Sequence, residues 1–412
     1  METSRTTILS DDLPDSAADH RRLRPAEWLF TRMLRNIRGG SVELRFPSGA
    51  RRVVGQPNFP RLRMTIHHRR FFRSVLRGGS VGFGESYVEG DWSTPDLTAL
   101  LSLFARNRKK LGPIQRGFSI AARKANELYH RARENTIERS KANISEHYDL
   151  SNDFYATFLD STMSYSSARF AKPGQDLEAA QAFKINRLLD LAGVSEGDHL
   201  LEIGSGWGAL ALAAARRGCR VTTVTLSVQQ YDYALDLFER EGVADLVDIR
   251  LQDYRETEGA YDAVISCEMI EAVGKEYMRS YFDVLKRRVE PGGKVVLQAI
   301  TIPHERYAAY ANGCDWIQKH IFPGGHLPSP EIIRDHATEA GLTIGRTERF
   351  AHDYARTLRF WQERFNREKA RVEELGFDER FRRKWNYYFS YCIAGFSNDL
   401  IGIRQMVLEP AP

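Results

Sequence analysis

The sequence predicts an α/β protein, a parallel sheet with helices on both faces, preceded by a smaller α+β unit. Three observations carry this. The apolar run Leu200-Leu201-Glu202-Ile203 feeds a loop, Gly204-Ser205-Gly206-Trp207-Gly208, and Ala209–Arg217 then has helical composition. From about residue 142 onward, β-branched apolar runs alternate with helix-length segments, which is the pattern of βα units. Charge also divides the chain: residues 1–140 hold 26 Lys and Arg against 14 Asp and Glu, and the remainder 33 against 40. At 412 residues two domains are expected.

Residues 1–23 are polar and short of aromatics and read as a disordered tail. Residues 24–104 read as the small unit. It opens with Trp28, Phe30, Met33 and Leu34 beside Arg32, Arg35 and Arg38, the composition of an interfacial helix. A strand pair is expected around Ser41–Phe46 and Arg51–Val54, then a helix after Arg69, the Gly-rich segment Gly78–Gly90, and an apolar helix from Pro95 to Phe104. Residues 105–140 form a basic linker and residues 141–412 the large domain. Its strands are expected at His199–Ile203, Arg220–Thr225, Val247–Leu251, Tyr261–Ser266 and Lys294–Ile300, with Pro291-Gly292-Gly293 as the turn before the last.

Composition excludes several classes. No apolar run approaches the ~20 residues needed to span a bilayer as a helix, and the N-terminus lacks the apolar core of a signal peptide, so a cytoplasmic location is expected. Cys219, Cys267, Cys314 and Cys392 form no C-x-x-C pair, so reduced thiols and no metal site are expected. The basic surplus of the first part, interleaved with Trp28, Phe71 and Phe72, suits an anionic partner, either nucleic acid or an anionic bilayer surface. A solvated basic face over a small core is the plainer alternative.

The glycine loop lets the backbone approach a ligand closely, and the following helix start offers unpaired N–H groups. A dinucleotide site would place Asp or Glu at the end of the next strand, roughly 20 residues on. Here that strand ends in Thr225-Leu226-Ser227-Val228-Gln229-Gln230, with hydroxyls and amides only. Glu202, inside the loop strand, is placed to face a cationic amino-acid moiety. The combination points to S-adenosylmethionine, which carries both a ribose and an α-ammonium. The alternative for Glu202 is a strand-end carboxylate capping the neighbouring helix.

Several ordered stretches then carry a family resemblance. They are Gly79–Trp92 (GSVGFGESYVEGDW), His147–Tyr155 (HYDLSNDFY), Met163–Ala168 (MSYSSA), Gly204–Gly208, Thr225–Gln230, Gln252-Asp253-Tyr254, Glu268–Gly274, Ile321–Gly325 (IFPGG) and Tyr354–Phe365. The sequence resembles the cyclopropane-fatty-acyl-phospholipid synthases, class I S-adenosylmethionine-dependent methyltransferases, over roughly residues 65–408. The resemblance implies a Rossmann-like seven-stranded sheet with a small N-terminal α+β lipid-binding domain. It also implies a peripheral enzyme on the inner face of the membrane that acts on unsaturated phospholipid, forms a homodimer and binds no nucleic acid.

The implied reaction methylates a cis double bond of an acyl chain and closes a cyclopropane ring after a carbocation loses a proton to bound bicarbonate. Proton loss without closure gives a methylene- or methyl-branched chain, or a furan-acid precursor. By resemblance, Tyr165 and Ser166 close over the methionine part, and Gly204, Gly206 and Gly208 line the loop. Thr225 and Gln230 take the ribose, and Asp253 and Tyr254 flank the adenine. Glu271, Tyr354 and the backbone of Ile300 grip the bicarbonate. Two positions depart from well-studied bacterial members: Gln298 stands for a histidine and Ser167 for a cysteine, so the fate of the cation is open. Glu271 alone also reads as an ion-pair partner of Arg287 or Arg288, and Cys392, the family cysteine, also reads as packing. His147 either anchors its loop or touches substrate. Tyr261–Tyr281 and Tyr307–Trp316 offer aromatic faces to steady a cation.

Overall fold

The computed structural model describes residues 21–111 and 150–411. Most of the expected tail, most of the basic linker and His147 lie outside the described residues. Helix α1 (Pro25–Leu34) starts with proline at its first position, where the missing N–H costs no hydrogen bond. The Glu27 carboxylate accepts from the Arg24 N–H at 2.9 Å. Phe30 and Leu34 are core residues, Phe30 lying edge-on to Phe71 and Phe72, so α1 does not present them to a membrane. Trp28 stays 50% exposed, with the Arg32 guanidinium 5.2 Å from its ring.

A four-stranded sheet follows in the order β2-β1-β3-β4. β1 (Ser41–Arg45) runs antiparallel to β2 (Arg51–Gly55) and parallel to β3 (Arg61–Ile66), and β4 (Trp92–Ser93) closes the edge. The strand pair is where the sequence places it. β3 went unread because arginines alternate with its apolar residues, Arg61 and Arg63 pointing outward while Met64 and Ile66 are buried. Most of the Gly-rich segment is helix: α2 (Arg70–Val88) runs into it with a kink at Gly79 (φ 58°, ψ −132°). The kink presses the Ser74 carbonyl against Gly82, where a Cβ would sit 2.0 Å from that oxygen. The glycines therefore serve close approach. Helix α3 (Leu97–Arg106) is capped by Asp96, which accepts from the Ala99 N–H at 2.8 Å.

The large sheet has seven strands among the described residues, in the order β10-β11-β9-β8-β5-β6-β7. These are β5 (His199–Ile203), β6 (Arg220–Thr225), β7 (Val247–Leu251), β8 (Tyr261–Cys267), β9 (Val289–Thr301), β10 (Leu342–Arg349) and β11 (Gly402–Pro410). β5 through β9 pair in parallel, and β11 is antiparallel to both β9 and β10. The chain runs outward over β5, β6 and β7, then returns with β8 on the other side of β5. That reversal opens a crevice beyond the carboxyl ends of β5 and β8. Pro291-Gly292-Gly293 is no turn before β9 but a bulge inside it: Tyr261 pairs with Val289 and Ala263 with Lys294.

Three helices position the site: α4 (Leu177–Ala192), α5 (Ala351–Arg367) and α6 (Glu379–Ser397). A single buried cluster joins Phe30, Phe71 and Trp92 to Trp361, Trp385 and Phe396, so the small sheet shares a core with α5 and α6. Polar contacts reinforce it. Thr98 Oγ1 donates to Ser390 Oγ at 2.9 Å, Lys319 reaches Glu85 at 2.6 Å, and Arg383 donates to the carbonyls of Tyr87 and Trp92. Among the described residues no helix is long and apolar enough to cross a membrane.

The kink makes a stability prediction. Gly82→Ala drives a methyl into the Ser74 carbonyl and should lower the unfolding free energy by about 3 kcal/mol in chemical denaturation. Gly78→Ala, with nothing within 4 Å of the new Cβ, should raise it by up to about 1 kcal/mol, since alanine is the better helix former.

Candidate active site

The crevice holds a cavity whose floor is the glycine loop. Gly204, Gly206 and Gly208 take φ of 94°, 49° and 92°, the left-handed region that side chains other than glycine rarely enter. Glu202 lies beneath them, buried, accepting from Thr223 Oγ1 at 2.7 Å, and burial pushes its carboxyl up to about 8. Its partner is on the neighbouring strand, so it caps no helix. Thr225 Oγ1 donates to Gln230 Oε1 at 2.9 Å, which assembles the predicted ribose pair on the cavity wall. Asp253 lines the cavity too, but its carboxylate is engaged by the backbone N–H and guanidinium of Arg255. The neighbouring Tyr254 ring packs edge-on to Tyr281 at 5.5 Å.

One wall residue escaped the sequence reading. Lys184, on α4, is only 3% exposed and donates from Nζ to Ser166 Oγ at 2.8 Å. Three positions earlier on the same face, Gln181 donates to the carbonyls of Ser164 and Ser166. A lysine at an apolar helix position, with Ala180 and Leu188 one turn to either side, was the available signal. Together the groups fit S-adenosylmethionine: an acidic group for the α-ammonium, a lysine for the α-carboxylate, a hydroxyl–amide pair for the ribose, and a backbone turn open to close approach.

Deeper in, a second polar cluster gathers Ser167, Gln298, Ile300, Glu271 and Tyr354, as expected, but its centre is Glu268. Glu268 Oε1 accepts from Gln298 Nε2 at 2.7 Å and from the Ser167 N–H at 2.8 Å, and Oε2 accepts from Tyr354 OH at 2.8 Å. Gln298 is held in turn, donating to the Ser167 carbonyl and accepting from Gln405 Nε2 at 2.9 Å. The Ile300 N–H donates to Glu271 Oε1, while Glu271 Oε2 is buried with no hydrogen-bond partner among the described residues. Glu271 therefore pairs with neither Arg287 nor Arg288. Burial and then the neighbouring Glu268 carboxylate push it up to about 8, and burial also raises Glu268.

Several expectations are corrected here. The Ser167 hydroxyl turns away to the Ala168 carbonyl at 2.9 Å, so its backbone N–H is what enters the cluster. Every donor that the resemblance assigns to bicarbonate, on Tyr354, Gln298 and Ile300, is engaged by Glu268 or Glu271, which occupy the position expected of that ion. Burial raises the Cys392 thiol far above its usual range, so it offers no thiolate. Tyr261 and Tyr281 belong to a separate core, Tyr307 hydrogen-bonds His326, and Trp316 packs on Tyr387. The aromatic faces at the site come from Tyr165, Trp361 and Phe322, with Tyr354 stacked on Phe396 at 4.5 Å. Glu268 stands in the left-handed region (φ 53°), a conformation costing an ordinary residue roughly 1–2 kcal/mol. Nothing in the spacing of the sequence marks it.

A seven-stranded sheet with one reversed strand, a left-handed glycine turn and this donor set define a class I S-adenosylmethionine-dependent methyltransferase. Comparison narrows the class. The profile of the family described as mycolic acid cyclopropane synthetase matches residues 135–406, and the chain belongs to that family. It is similar to the tuberculostearic acid methyltransferase UfaA1 of Mycobacterium tuberculosis, 44% identical over 345 residues, covering 82% of this chain and 80% of the relative. It is also similar to the cyclopropane-fatty-acyl-phospholipid synthase of Escherichia coli K12, 33% identical over 342 residues, covering 82% and 85%. Among solved structures it resembles the mycolic acid cyclopropane synthase CmaA1 complexed with SAH and CTAB, at TM-score 0.60 and 28% identity over 65% of this chain and 97% of that one.

The raised carboxyl of Glu202 gives the cofactor site a pH signature. Near pH 7 the free protein holds Glu202 mostly protonated, whereas an α-ammonium beside it favours the ionised form, so binding releases a proton. Lowering the pH from about 7 to about 6 should then weaken S-adenosylmethionine by up to about tenfold. Titration calorimetry in buffers of different ionisation enthalpy reads the proton, and Glu202→Gln should flatten the slope.

Proposed function

We propose that this protein transfers a methyl group from S-adenosylmethionine to the cis double bond of an unsaturated phospholipid acyl chain. One observation carries the reading: the cofactor cavity is bordered by aromatic rings, Tyr165 with Trp361 and Phe322 packed around it, and by the Glu268 carboxylate. Bound S-adenosylmethionine supplies an electrophilic methyl on a positively charged sulfur. An alkene is a weak nucleophile, so the protein has to hold it in line with that methyl and exclude water, which would quench the cation formed. Tyr165 and Trp361, with centroids 5.3 Å apart, offer faces that stabilise a cation. An acidic group beside them accepts the proton whose loss ends the reaction.

The product we favour is a branched chain. After methyl transfer a hydride shift moves the cation to the methylated carbon, and proton loss from the methyl leaves a methylene group. The 44% identity to a tuberculostearic acid methyltransferase supports this over the 33% identity to a cyclopropane synthase. Direct ring closure is the second reading, supported by the description of the family itself.

The acceptor chain reaches the site from an anionic membrane surface, which places the enzyme peripherally on the cytoplasmic face. A groove in the small unit supports this: Arg24, Arg69, Arg73 and Arg77 surround Phe72 and Leu76, and the exposed Trp28 lies on the same helix as Ala26 of its rim.

Incubation with dioleoyl-phosphatidylglycerol vesicles and methyl-labelled cofactor should label the acyl chains. Proton NMR of the product should show vinylidene signals rather than the upfield signals of a cyclopropane. Arg73→Glu with Arg77→Glu should weaken binding to anionic vesicles by at least about tenfold, near 1 kcal/mol per charge removed, without changing cofactor affinity. Equal binding by variant and parent would place the membrane contact elsewhere.

A further inference from the structure

We infer that Glu268 is the general base of the reaction, a carboxylate supplied by the chain itself that accepts the proton lost after methyl transfer. The inference rests on the function proposed above and assigns a group within it.

Geometry supports it in three ways. Glu268 lines the cofactor cavity together with Tyr165, Ser166 and Glu202. Three donors from three separate elements fix it: Gln298 on β9, Tyr354 on α5, and the Ser167 N–H in the segment ahead of α4. An acceptor oriented by its own donors is what a fast proton transfer requires, since no reorganisation is left for the moment of reaction. Its backbone sits in a left-handed conformation that is costly for glutamate, and the surroundings hold it there, as is common where a side chain has a chemical task.

The neighbouring groups separate the roles of the two carboxylates. Lys184, Cys267, Glu271 and Tyr354 are the titratable groups that act on Glu268 or border it; burial raises its carboxyl, and of these groups the Tyr354 hydroxyl and Lys184 favour its ionised form. Glu271 is raised to about 8 by burial and by Glu268, so at neutral pH it is the member of the pair that keeps a proton. Burial raises Glu268 as well, but its three donors and Lys184 oppose that rise, so of the two carboxyls it is the better placed to accept a proton.

The step balances. The π pair of the alkene forms the new C–C bond, and the S–CH3 pair stays on sulfur, leaving S-adenosylhomocysteine. A Glu268 oxygen then takes a proton from the transferred methyl. The freed C–H pair forms the exocyclic double bond after the hydride shift, or closes the ring without it. Glu268 returns the proton to solvent when product leaves.

The test compares wild type, Glu268→Gln and Glu268→Gly on dioleoyl-phosphatidylglycerol vesicles, in buffer stripped of carbon dioxide and in the same buffer with added bicarbonate. Glycine relieves the left-handed backbone, so that variant is not expected to fail to fold. Wild-type turnover should be independent of bicarbonate. Glu268→Gln should lose on the order of 10²–10⁴-fold in turnover, with S-adenosylmethionine affinity within about threefold of wild type by calorimetry. Glu268→Gly should be equally slow, and bicarbonate, a small base entering the vacated space, should restore it by tenfold or more; a purely structural glutamate would show no such rescue. Wild-type turnover that collapses without bicarbonate overturns the inference, as does a Glu268→Gln protein as fast as wild type. A wild-type protein that labels no lipid under any condition defeats the proposed function itself, and the assignment of Glu268 with it.

Discussion

Glu202, Glu268 and Asp160 are acidic groups held out of water within the field of one buried cation, the ammonium of Lys184. Burying a carboxylate is costly unless charge or hydrogen bonds compensate it, and here both are used. Lys184 lowers the cost for all three, while Thr223, the Gln298–Ser167–Tyr354 trio and Thr162 each supply hydrogen bonds to one of them. Lys184 itself depends on α4, whose Gln181 also pins the Ser164–Ser166 segment over the cavity. One helix face therefore sets the charge balance of the crevice and the position of the segment that closes it.

This electrostatic frame is held by packing that comes from distant parts of the chain. Of the aromatic residues at the site, Trp361 and Tyr354 belong to α5 and Phe396 to α6, helices that also carry the core shared with the small N-terminal sheet. The kinked helix α2 brings Gly84 against Trp316 and Tyr387, where larger residues would not fit. Its Glu85 meets Lys319 and His320 near the Ile321–Gly325 segment. The small unit is thus packed against α6 and the segment that carries Trp316, Lys319 and His320.

Much of the architecture was legible in the sequence. The five named strands, the glycine turn and the Thr225–Gln230 pair follow from local patterns, because a parallel strand buried on both faces reads as an apolar run and a left-handed turn demands glycine. Where local reading failed, a non-local contact had overruled it. Gly78–Gly90 points to no element by its composition, yet most of it is helix, and Gly82 and Gly84 serve close packing within and against helices. Pro291-Gly292-Gly293 looks like a turn, yet β8 holds it as a bulge. Phe30 and Leu34 look like a membrane face, yet Phe71 and Phe72 cover them.

The sequence by itself determined the fold class, the cofactor site and the identity of most of the residues that surround it, since each of these depends on neighbours a few positions apart. Only the tertiary structure decided what those residues do to one another. Ser167, Glu268, Gln298 and Tyr354 are separated by up to 187 positions and come from four segments, and no spacing rule links them. Their hydrogen bonds exist because β8, β9, α5 and the segment ahead of α4 converge beyond the carboxyl ends of the strands. That convergence turns Glu268 from one more polar residue after a strand into the centre of the site. The reason is physical: the acidity and orientation of a buried carboxylate are set by the donors and charges that folding places around it.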